Sequence, residues 1–401
     1  MIALVIDKCL KIPSKQKRYI PILDVTDDSF IIQDRFDLKN KRIKSIEPLT
    51  FERFNKLEEL ILKKNEIVHL KNLNFKGLDN LQYLTLENNK ICAIECNAFN
   101  DLSQLTGLDL AGNQITHLEK DTFRNLKHLR SLNLSQNQIK SIESNQFSGL
   151  IKLNQLNLIR NSIIHLHKDS FSGLDLLNDL WLNKNAISLI QSDAFNGLNH
   201  LNTLNLSENQ IVTLDKDSFR GLDRLNFLDL SHNLINSIKP FSFASFKCVE
   251  HLNLDWNKLK HLDGHSFMEL NELIEINLSN NLIDSIAPYA FKDLVKLKKL
   301  SLISNKLKHL CKNSFRELSN LDELNLNKNE IESMELNTFN GLKKLRILYL
   351  IDNKIEYLDK NSFMGLYSLD SLYLSLNEIK SIETFGFNSF DDLGQLKRII
   401  K

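Results

Sequence analysis

The chain has 401 residues, and its 51 lysines and arginines nearly balance 50 aspartates and glutamates, which leaves a net charge of +1 at pH 7. This balance argues against a general nucleic-acid or membrane-surface binder, because both need a basic surface. Hydrophobic residues make up 42% of the chain, as in globular proteins, and no apolar run approaches the roughly 18 residues that cross a bilayer.

Residues 1–32 precede the regular part of the chain and are interpreted as a degenerate N-terminal cap segment. Their start, MIALVIDKCLKIPSK, has a short apolar run and no early basic residue, so it is a poor secretory signal. The cysteines are odd in number and scattered, which does not indicate a disulfide framework. They are Cys9, Cys92, Cys96, Cys248 and Cys311. Cys92 and Cys96 either pair across a turn or remain free thiols.

Residues 33–396 repeat one pattern about fifteen times at a constant step of 24 residues. An asparagine marks the repeats from Asn65 to Asn377, and a phenylalanine marks them from Phe51 to Phe387. The first repeat carries Lys41 in place of the asparagine, as end repeats that face solvent often do. The period predicts one continuous array in place of the two or three domains that this length would otherwise suggest.

Within each repeat, a short strand is followed by a turn and a return segment. Leu204 and Leu206 are separated by one residue, so both point to one face of an extended strand. Phe219 and Leu222 have the spacing of a 3₁₀ or single helical turn. One repeat buries too little apolar surface to offset its ordering entropy, so repeats must stack. Stacking predicts a parallel sheet in an open, gently curved solenoid.

The two marker columns are predicted to be structural. An asparagine amide offers two donors and an acceptor, which suit backbone groups of its own and adjacent repeats. The phenylalanines are expected to form a spine of offset, stacked rings. The pattern LxxLxLxxN, followed by spaced aliphatic residues, phenylalanine and leucine, resembles the typical 24-residue class of leucine-rich repeat.

This resemblance covers nearly the whole chain and implies both a fold and a role. It implies an α/β repeat solenoid, a horseshoe with a parallel β-sheet on the concave face, short 3₁₀ or helical turns on the convex face and shallow curvature. The class occurs mainly in extracellular proteins, as in Toll-like receptor ectodomains, Slit and small leucine-rich proteoglycans, which bind proteins on the inner sheet. Such proteins usually carry cysteine-rich caps, whereas residues 397–401 are interpreted as a truncated C-terminal end without a cysteine cap.

The variable, outward strand positions are the candidate ligand-binding residues, because the leucine, asparagine and phenylalanine columns are committed to the fold. Aromatic residues ringed by charge are favoured as interface anchors, and both tryptophans of the chain lie there. The predicted site consists of Ile159, Arg160, Asp179, Trp181, Glu208, Phe227, Asp229, His251, Asp255, Trp256 and Glu275. Its acidic bias predicts a protein partner with a basic surface. The alternative is that these aromatic residues only shield the sheet.

A second, more apolar group lies near the C-terminal end of the array. It consists of Ile347, Tyr349, Ile351, Tyr373 and Leu376. This group is expected either to bind a partner or to lie beneath a C-terminal cap.

Asparagines in N-x-S motifs within LNLS strands are candidate glycosylation sites that would matter only after secretion, or coincidences of the repeat pattern. They are Asn133, Asn205 and Asn277. The histidines that share one repeat position, from His69 to His309, are mostly two repeats apart, roughly 10 Å, which is too far for a common metal ion. No phosphate-binding loop, zinc motif or nucleophile elbow is present.

The sequence therefore predicts a non-enzymatic protein-recognition module without a cofactor or metal. Nucleic-acid and membrane contacts are not expected. The resemblance favours an extracellular or receptor-ectodomain protein. An intracellular scaffold or regulator is the alternative, favoured by the poor signal sequence and the unpaired cysteines.

Overall fold

The computed structural model describes residues 34–358, 362–382 and 398–400. The predicted cap segment 1–32, Cys9, Phe387 and the residues at the predicted array boundary, 396 and 397, lie outside this range. The chain divides into two compact units, residues 1–201 and 202–401, and each is described by itself.

The first unit contains one row of three-residue strands and one row of two-residue strands. The three-residue strands are β1 Arg35–Asp37, β2 Glu59–Ile61, β4 Tyr83–Thr85, β6 Gly107–Asp109, β7 Ser131–Asn133, β8 Gln155–Asn157 and β10 Asp179–Trp181. The two-residue strands are β3 His69–Leu70, β5 Ala93–Ile94, β9 His165–Leu166 and β11 Leu189–Ile190. All pairs within each row are parallel.

The second unit continues the same two kinds of strand. Its three-residue strands are β12 Thr203–Asn205, β14 Phe227–Asp229, β16 His251–Asn253, β18 Glu275–Asn277, β20 Lys299–Ser301, β22 Glu323–Asn325, β24 Ile347–Tyr349, β26 Ser371–Tyr373 and β28 Arg398–Ile400. Its two-residue strands are β13 Thr213–Leu214, β15 Ser237–Ile238, β17 His261–Leu262, β19 Ser285–Ile286, β21 His309–Leu310, β23 Ser333–Met334, β25 Tyr357–Leu358 and β27 Ser381–Ile382. These pairs are also parallel.

The predicted parallel-strand solenoid is confirmed, with about 14 turns. Strand register follows the sequence period, so that His251 in β16 lies opposite Phe227 in β14 and Glu275 in β18. From β4 to β26, the middle residue of each three-residue strand is buried in the core, as Leu252 is, while its two neighbours are half-buried or exposed. The period-two alternation of strands therefore separates core from surface within three residues.

The asparagine column has the structural role that the sequence predicted. Asn233 is buried, and its Nδ2 donates to Leu230 O at 3.1 Å and to Leu206 O of the preceding repeat at 3.0 Å. Its Oδ1 accepts the Ile211 N–H at 3.0 Å. Each such side chain links backbone groups of two turns that would otherwise be buried without partners.

The phenylalanine column forms the predicted spine of stacked rings. In the first unit, successive ring centroids between Phe51 and Phe195 are 5.9 to 6.5 Å apart. In the second unit, those between Phe219 and Phe363 are 5.8 to 6.5 Å apart. Interplanar angles of at most 22° show near-parallel stacking in both units.

The predicted 3₁₀ or helical turns of the return segments are not confirmed, since the described residues contain no helix. These segments consist of separate hydrogen-bonded turns, such as Ser242 N to Lys239 O at 3.1 Å and Phe246 N to Phe243 O at 3.0 Å. Phe241 lies within the first of these turns and has a φ of 65°. A left-handed residue cannot continue a right-handed helix, so this return breaks into turns.

Candidate recognition surface on the long sheet

The solvent-facing side of the three-residue strands, with the turn that follows each strand, is called the recognition face here. Its side chains lie six, four, two and one residues before each ladder asparagine. In the repeat of Asn257 these are His251, Asn253, Asp255 and Trp256. The structure places every residue of the predicted site on this face, but in two separate units.

The column four residues before the ladder asparagine carries a structural role that the sequence analysis did not foresee. Its side-chain oxygen accepts the backbone N–H two residues later at 2.9 to 3.1 Å, which closes an Asx turn. The residues that do so are Asp109, Asn133, Asn157, Asn205, Asp229, Asn253, Asn277 and Asn325. Structural roles were predicted only for the leucine, asparagine and phenylalanine columns, and this outward column also supports the turn.

This role affects Asp229 and the three candidate glycosylation sites. Asp229 Oδ1 accepts the Ser231 N–H at 2.9 Å, so one of its oxygens is already engaged. The Oδ1 atoms of Asn205 and Asn277 also accept the hydroxyl of the serine in their own N-x-S motif, at 2.7 and 2.6 Å. Glycosylation of these asparagines remains a prediction that the structure does not test.

In the first unit, four predicted residues lie on two adjacent repeats. Trp181 occupies the Asx-turn column in β10, where its indole offers no acceptor, and lies opposite Asn157 in β8. Asp179 accepts a hydrogen bond from Gln155 at 3.3 Å. Ile159 and Arg160 lie in the turn after β8, and the Arg160 N–H donates to Asn183 O at 3.1 Å. Ile159, Asp179 and Trp181 are half-buried, and Arg160 is exposed.

In the second unit, two pairs of rings lie at opposite ends of the β14 and β16 repeats. Phe227 and His251 begin these strands, with ring centroids 6.4 Å apart. His232 and Trp256 follow them, and their rings stack at 5.6 Å with an interplanar angle of 9°. Trp256 is 54% exposed and Phe227 36% exposed. We call Phe227, His232, His251, Asp255, Trp256 and Glu275 the aromatic–acidic cluster.

Hydrogen bonds from backbone and amide groups fix the positions of side chains in the cluster. Trp256 has a φ of 53°, which directs its side chain out of the turn. Its N–H donates to Asp255 Oδ1 at 2.8 Å, and Asn280 Nδ2 donates to the same oxygen at 2.9 Å. His251 Nδ1 lies 3.4 Å from a carboxylate oxygen of Glu275 in the next strand. The carboxylates therefore lie beside the rings in a defined geometry.

Sequence reasoning found five of these six residues and missed His232. The signal was present, because His232 stands 24 residues before Trp256 and therefore shares its column in the adjacent repeat. Glu208, which was predicted, occupies the same column one repeat earlier and is exposed. The neighbouring repeats thus place an acid, an imidazole and an indole in a row.

The second predicted group is also partly assembled by the structure. Tyr349 in β24 and Tyr373 in β26 stack with ring centroids 4.7 Å apart. Partial burial, followed by the charge of Glu323 and the Tyr373 ring, raises the pKa of Tyr349. Ile347 and Ile351 are half-buried beside them, and Leu376 is 74% exposed. Whether this group binds a partner stays a prediction.

One hydrogen-bonded group resembles a catalytic arrangement. His261 Nδ1 lies 2.8 Å from Asp284 Oδ1 and 2.7 Å from Ser285 Oγ, and Ser285 Oγ donates to Asp284 at 2.9 Å. In a catalytic triad the serine and the carboxylate contact opposite ring nitrogens, whereas both contact Nδ1 here. All three side chains are exposed. The geometry is that of a surface network and offers no activated nucleophile.

No group of three or more metal-ligating side chains is placed to hold an ion within the described residues. Cys92, Cys96, Cys248 and Cys311 are free, so the optional Cys92–Cys96 pairing is not formed. Cys92 Sγ instead lies 3.8 Å from His69 Nε2. The described part of the chain holds no helix of the length and hydrophobicity that a membrane crossing requires.

The repeats match the family model described as leucine rich repeat in ten overlapping segments that span residues 34–379. The chain belongs to the leucine-rich repeat family. No curated protein sequence matches it.

Solved structures with the same fold include receptors bound to ligands. Toll of Drosophila, in a complex with Spatzle, is 22% identical with a TM-score of 0.73, and the match covers 86% of this chain and 47% of that one. A leucine-rich repeat protein of Leptospira interrogans is 25% identical with a TM-score of 0.61, and the match covers 92% of this chain and 96% of that one. TLR13 in a complex with ssRNA13 is 24% identical with a TM-score of 0.50, and the match covers 90% of this chain and 72% of that one.

These likenesses support a protein-recognition module at the level of fold. The family and its structural neighbours are typically non-enzymatic. Since one neighbour is bound to RNA, the exclusion of nucleic acid stays a prediction from net charge.

Proposed function

We propose that this protein is a non-enzymatic recognition module that captures a protein ligand on the recognition face of its second unit. The observation that carries the proposal is the aromatic–acidic cluster, in which two ring pairs flank carboxylates on a solvent-facing sheet. Exposed tryptophan costs hydration free energy, and the core of the fold does not need Trp256. Interface hot spots are enriched in such aromatic anchors.

The ligand is proposed to carry a basic surface. Across the four repeats from β12 to β18, the recognition face bears the carboxylates Glu208, Asp229, Asp255 and Glu275 and no lysine or arginine. A face of one sign attracts a partner of the opposite sign and speeds its association.

An extracellular or cell-surface location, as the ectodomain of a receptor or a secreted protein, is part of the proposal. Receptors such as Toll, bound to Spatzle, support it by likeness of fold. The free thiols favour the alternative of an intracellular scaffold, because exposed unpaired cysteines are less common in oxidising compartments. Antibody staining of intact cells, compared with staining of permeabilised cells, tests the proposed location. Staining only after permeabilisation would support the intracellular scaffold.

The proposed binding surface is tested by affinity capture with three forms of the purified protein: the unaltered chain, the double variant F227A/W256A, and Y289A. Tyr289 is a matched control, because it is 43% exposed with a φ of 64° in the same unit but lies on a return segment. We expect the double variant to weaken capture of a specific ligand by about 30-fold or more, as for hot-spot anchors.

Circular dichroism must remain unchanged in both variants for this comparison to hold. Y289A is expected to capture the same ligand as the unaltered chain. If the double variant retains full affinity, the recognition surface lies elsewhere and the assignment is wrong.

A further inference from the structure

The aromatic–acidic cluster has features that specify its ligand beyond a basic surface, and this inference rests on the proposed function. The ring pairs Phe227–His251 and His232–Trp256 occupy the two ends of the same two repeats. Five residue steps separate the members of one repeat, which corresponds to at most about 16 Å along the strand. Between the two pairs lie Asp229 and Asp255. The arrangement is an acidic strip bordered on both sides by rings.

This strip fits a guanidinium group better than an ammonium group. Asp255 uses Oδ1 for the Trp256 N–H and the Asn280 amide, and Oδ2 has no partner among the described residues. The indole of Trp256 remains 54% exposed although one neighbour already stacks on it. Arginine is planar, stacks on aromatic faces and pairs with carboxylates in the same plane, whereas lysine is a compact point charge.

The same strip contains its own titrating groups. His232 stacks on Trp256, and the acidic residues on the recognition face of its own and the adjacent repeats are Glu208, Asp229 and Asp255. His251 lies between Phe227 and Glu275, next to Glu250, and the first cation farther along the face is Lys299 in β20. Histidines gain their charge between about pH 8 and pH 5.

We propose that the cluster binds an arginine-bearing segment of a protein partner, stacked on Trp256 and paired with Asp255, and that protonation of His232 and His251 releases it. When neutral, His232 extends the aromatic surface that the arginine contacts. When protonated, it is itself a cation over the indole and beside Asp255, so it competes with the ligand for both. Protonated His251 neutralises Glu275 in the same way. By linkage, the bound arginine opposes protonation of both rings.

The direction of the pH effect follows from these charges. At pH 7.5 the carboxylates of Asp229, Asp255 and Glu275 face the ligand, and the recognition face from β12 to β18 holds no lysine or arginine. At pH 5.5 two positive charges are added within the strip, and like charges at short range disfavour a bound cation. Affinity for an arginine ligand is therefore expected to fall as the pH falls, even though carboxylates remain ionised above about pH 5.

The test uses the full chain and a fluorescent peptide of four arginines separated by glycines, with binding followed by anisotropy at constant ionic strength. We expect binding about tenfold weaker at pH 5.5 than at pH 7.5. At pH 7.5, W256A and the isosteric D255N should each weaken binding at least about fivefold. A peptide with lysine in place of arginine should bind at least about threefold more weakly.

The histidine double variant H232Q/H251Q isolates the release. The affinity of this variant at pH 7.5 divided by its affinity at pH 5.5 should be about two, compared with about ten for the unaltered chain. This expectation holds whatever the absolute affinity of the variant at pH 7.5. The control H261Q/H309Q changes two exposed histidines on the two-residue strands of the same unit and should keep the original ratio.

Equal pH ratios in the unaltered chain and in H232Q/H251Q would overturn the release. Unchanged peptide binding by W256A, or equal binding of the lysine peptide, would overturn the arginine contact. The proposed function is tested by a different experiment, the capture of a protein ligand by the unaltered chain and its loss in F227A/W256A. Such capture can succeed even if the arginine peptide does not bind, so failure of the arginine contact and failure of the proposed function are distinguishable.

Discussion

Asparagine has two distinct roles in the repeats, and its position within the turn decides which. The ladder asparagines, such as Asn113, are buried and join backbone groups of two adjacent repeats, four of them in the case of Asn113. The asparagines four residues earlier, such as Asn133, close an Asx turn from the recognition face. Asparagine thus stabilises the turn both from the buried core and from the recognition face, because its short amide side chain reaches nearby backbone groups from either position.

Asp109 departs from this pattern in charge, and its removal should stabilise the protein. It takes the Asx-turn position that Asn133 and Asn157 hold in the following repeats. Burial raises the pKa of Asp109, while the hydrogen bond from the Ala111 N–H opposes this change and Glu87 adds to it. A raised pKa in the folded state means that ionisation at neutral pH costs folding free energy.

We therefore expect D109N to be more stable than the unaltered chain at pH 7, because Asn keeps the acceptor and removes the buried charge. The gain should shrink as the pH falls through the raised pKa of Asp109 and vanish where the carboxyl group is protonated in both folded and unfolded states. Urea denaturation at pH 7 and pH 3 measures this. A stability gain that persists undiminished at pH 3 would contradict the charge explanation.

At the scale of the element, the return segments are held by the phenylalanine spine instead of by helices. Phe267 is 1% exposed and stacks on Phe243 at 6.5 Å and on Phe291 at 5.8 Å. The hydrogen-bonded turns around such a ring are separate and do not form a continuous helix. Ring burial therefore supplies much of the stability that a helix would contribute through its backbone.

Replacing Phe267 with alanine should lower the free energy of unfolding by about 3 to 5 kcal/mol, since it removes a buried ring and leaves a cavity between two others. F241A is the matched control, because Phe241 is an exposed phenylalanine on a return segment of the same unit and its loss should cost about 0.5 kcal/mol or less. Chemical denaturation measures both. Similar losses for the two variants would show that the spine is not the source of stability.

At the scale of the whole molecule, each repeat depends on its neighbours. Side-chain bonds to the backbone join residues 22, 27 or 28 positions apart, as for Asn89 with Ile67, Asn89 with Leu62, and Asn74 with Ile46. Strand pairing within each unit also joins adjacent repeats, because paired residues are 24 positions apart. The stability of such an array is approximately a sum of repeat and nearest-neighbour contributions.

Deleting one full period, residues 90–113, should therefore preserve the fold, because Asn89 then stands one repeat before Asn137. We expect an unchanged type of circular-dichroism spectrum and a slightly smaller urea m-value, since less surface is exposed on unfolding. Deleting only residues 90–101 should disrupt the first unit, because it shifts the ladder and spine contacts across the new junction by half a period. Equal tolerance of both deletions would contradict strict register.

The sequence by itself determined the period, the buried columns, the parallel solenoid and the family, because a hydrophobic pattern repeated every 24 residues permits only stacked, equivalent turns. It also identified the outward positions and most of the aromatic–acidic cluster. Only the tertiary structure decided which outward side chains support the backbone, as Asp229 does, and which meet a neighbour, as His232 meets Trp256. These outcomes depend on the left-handed turn after each strand and on side-chain directions between adjacent repeats, neither of which a one-dimensional pattern records.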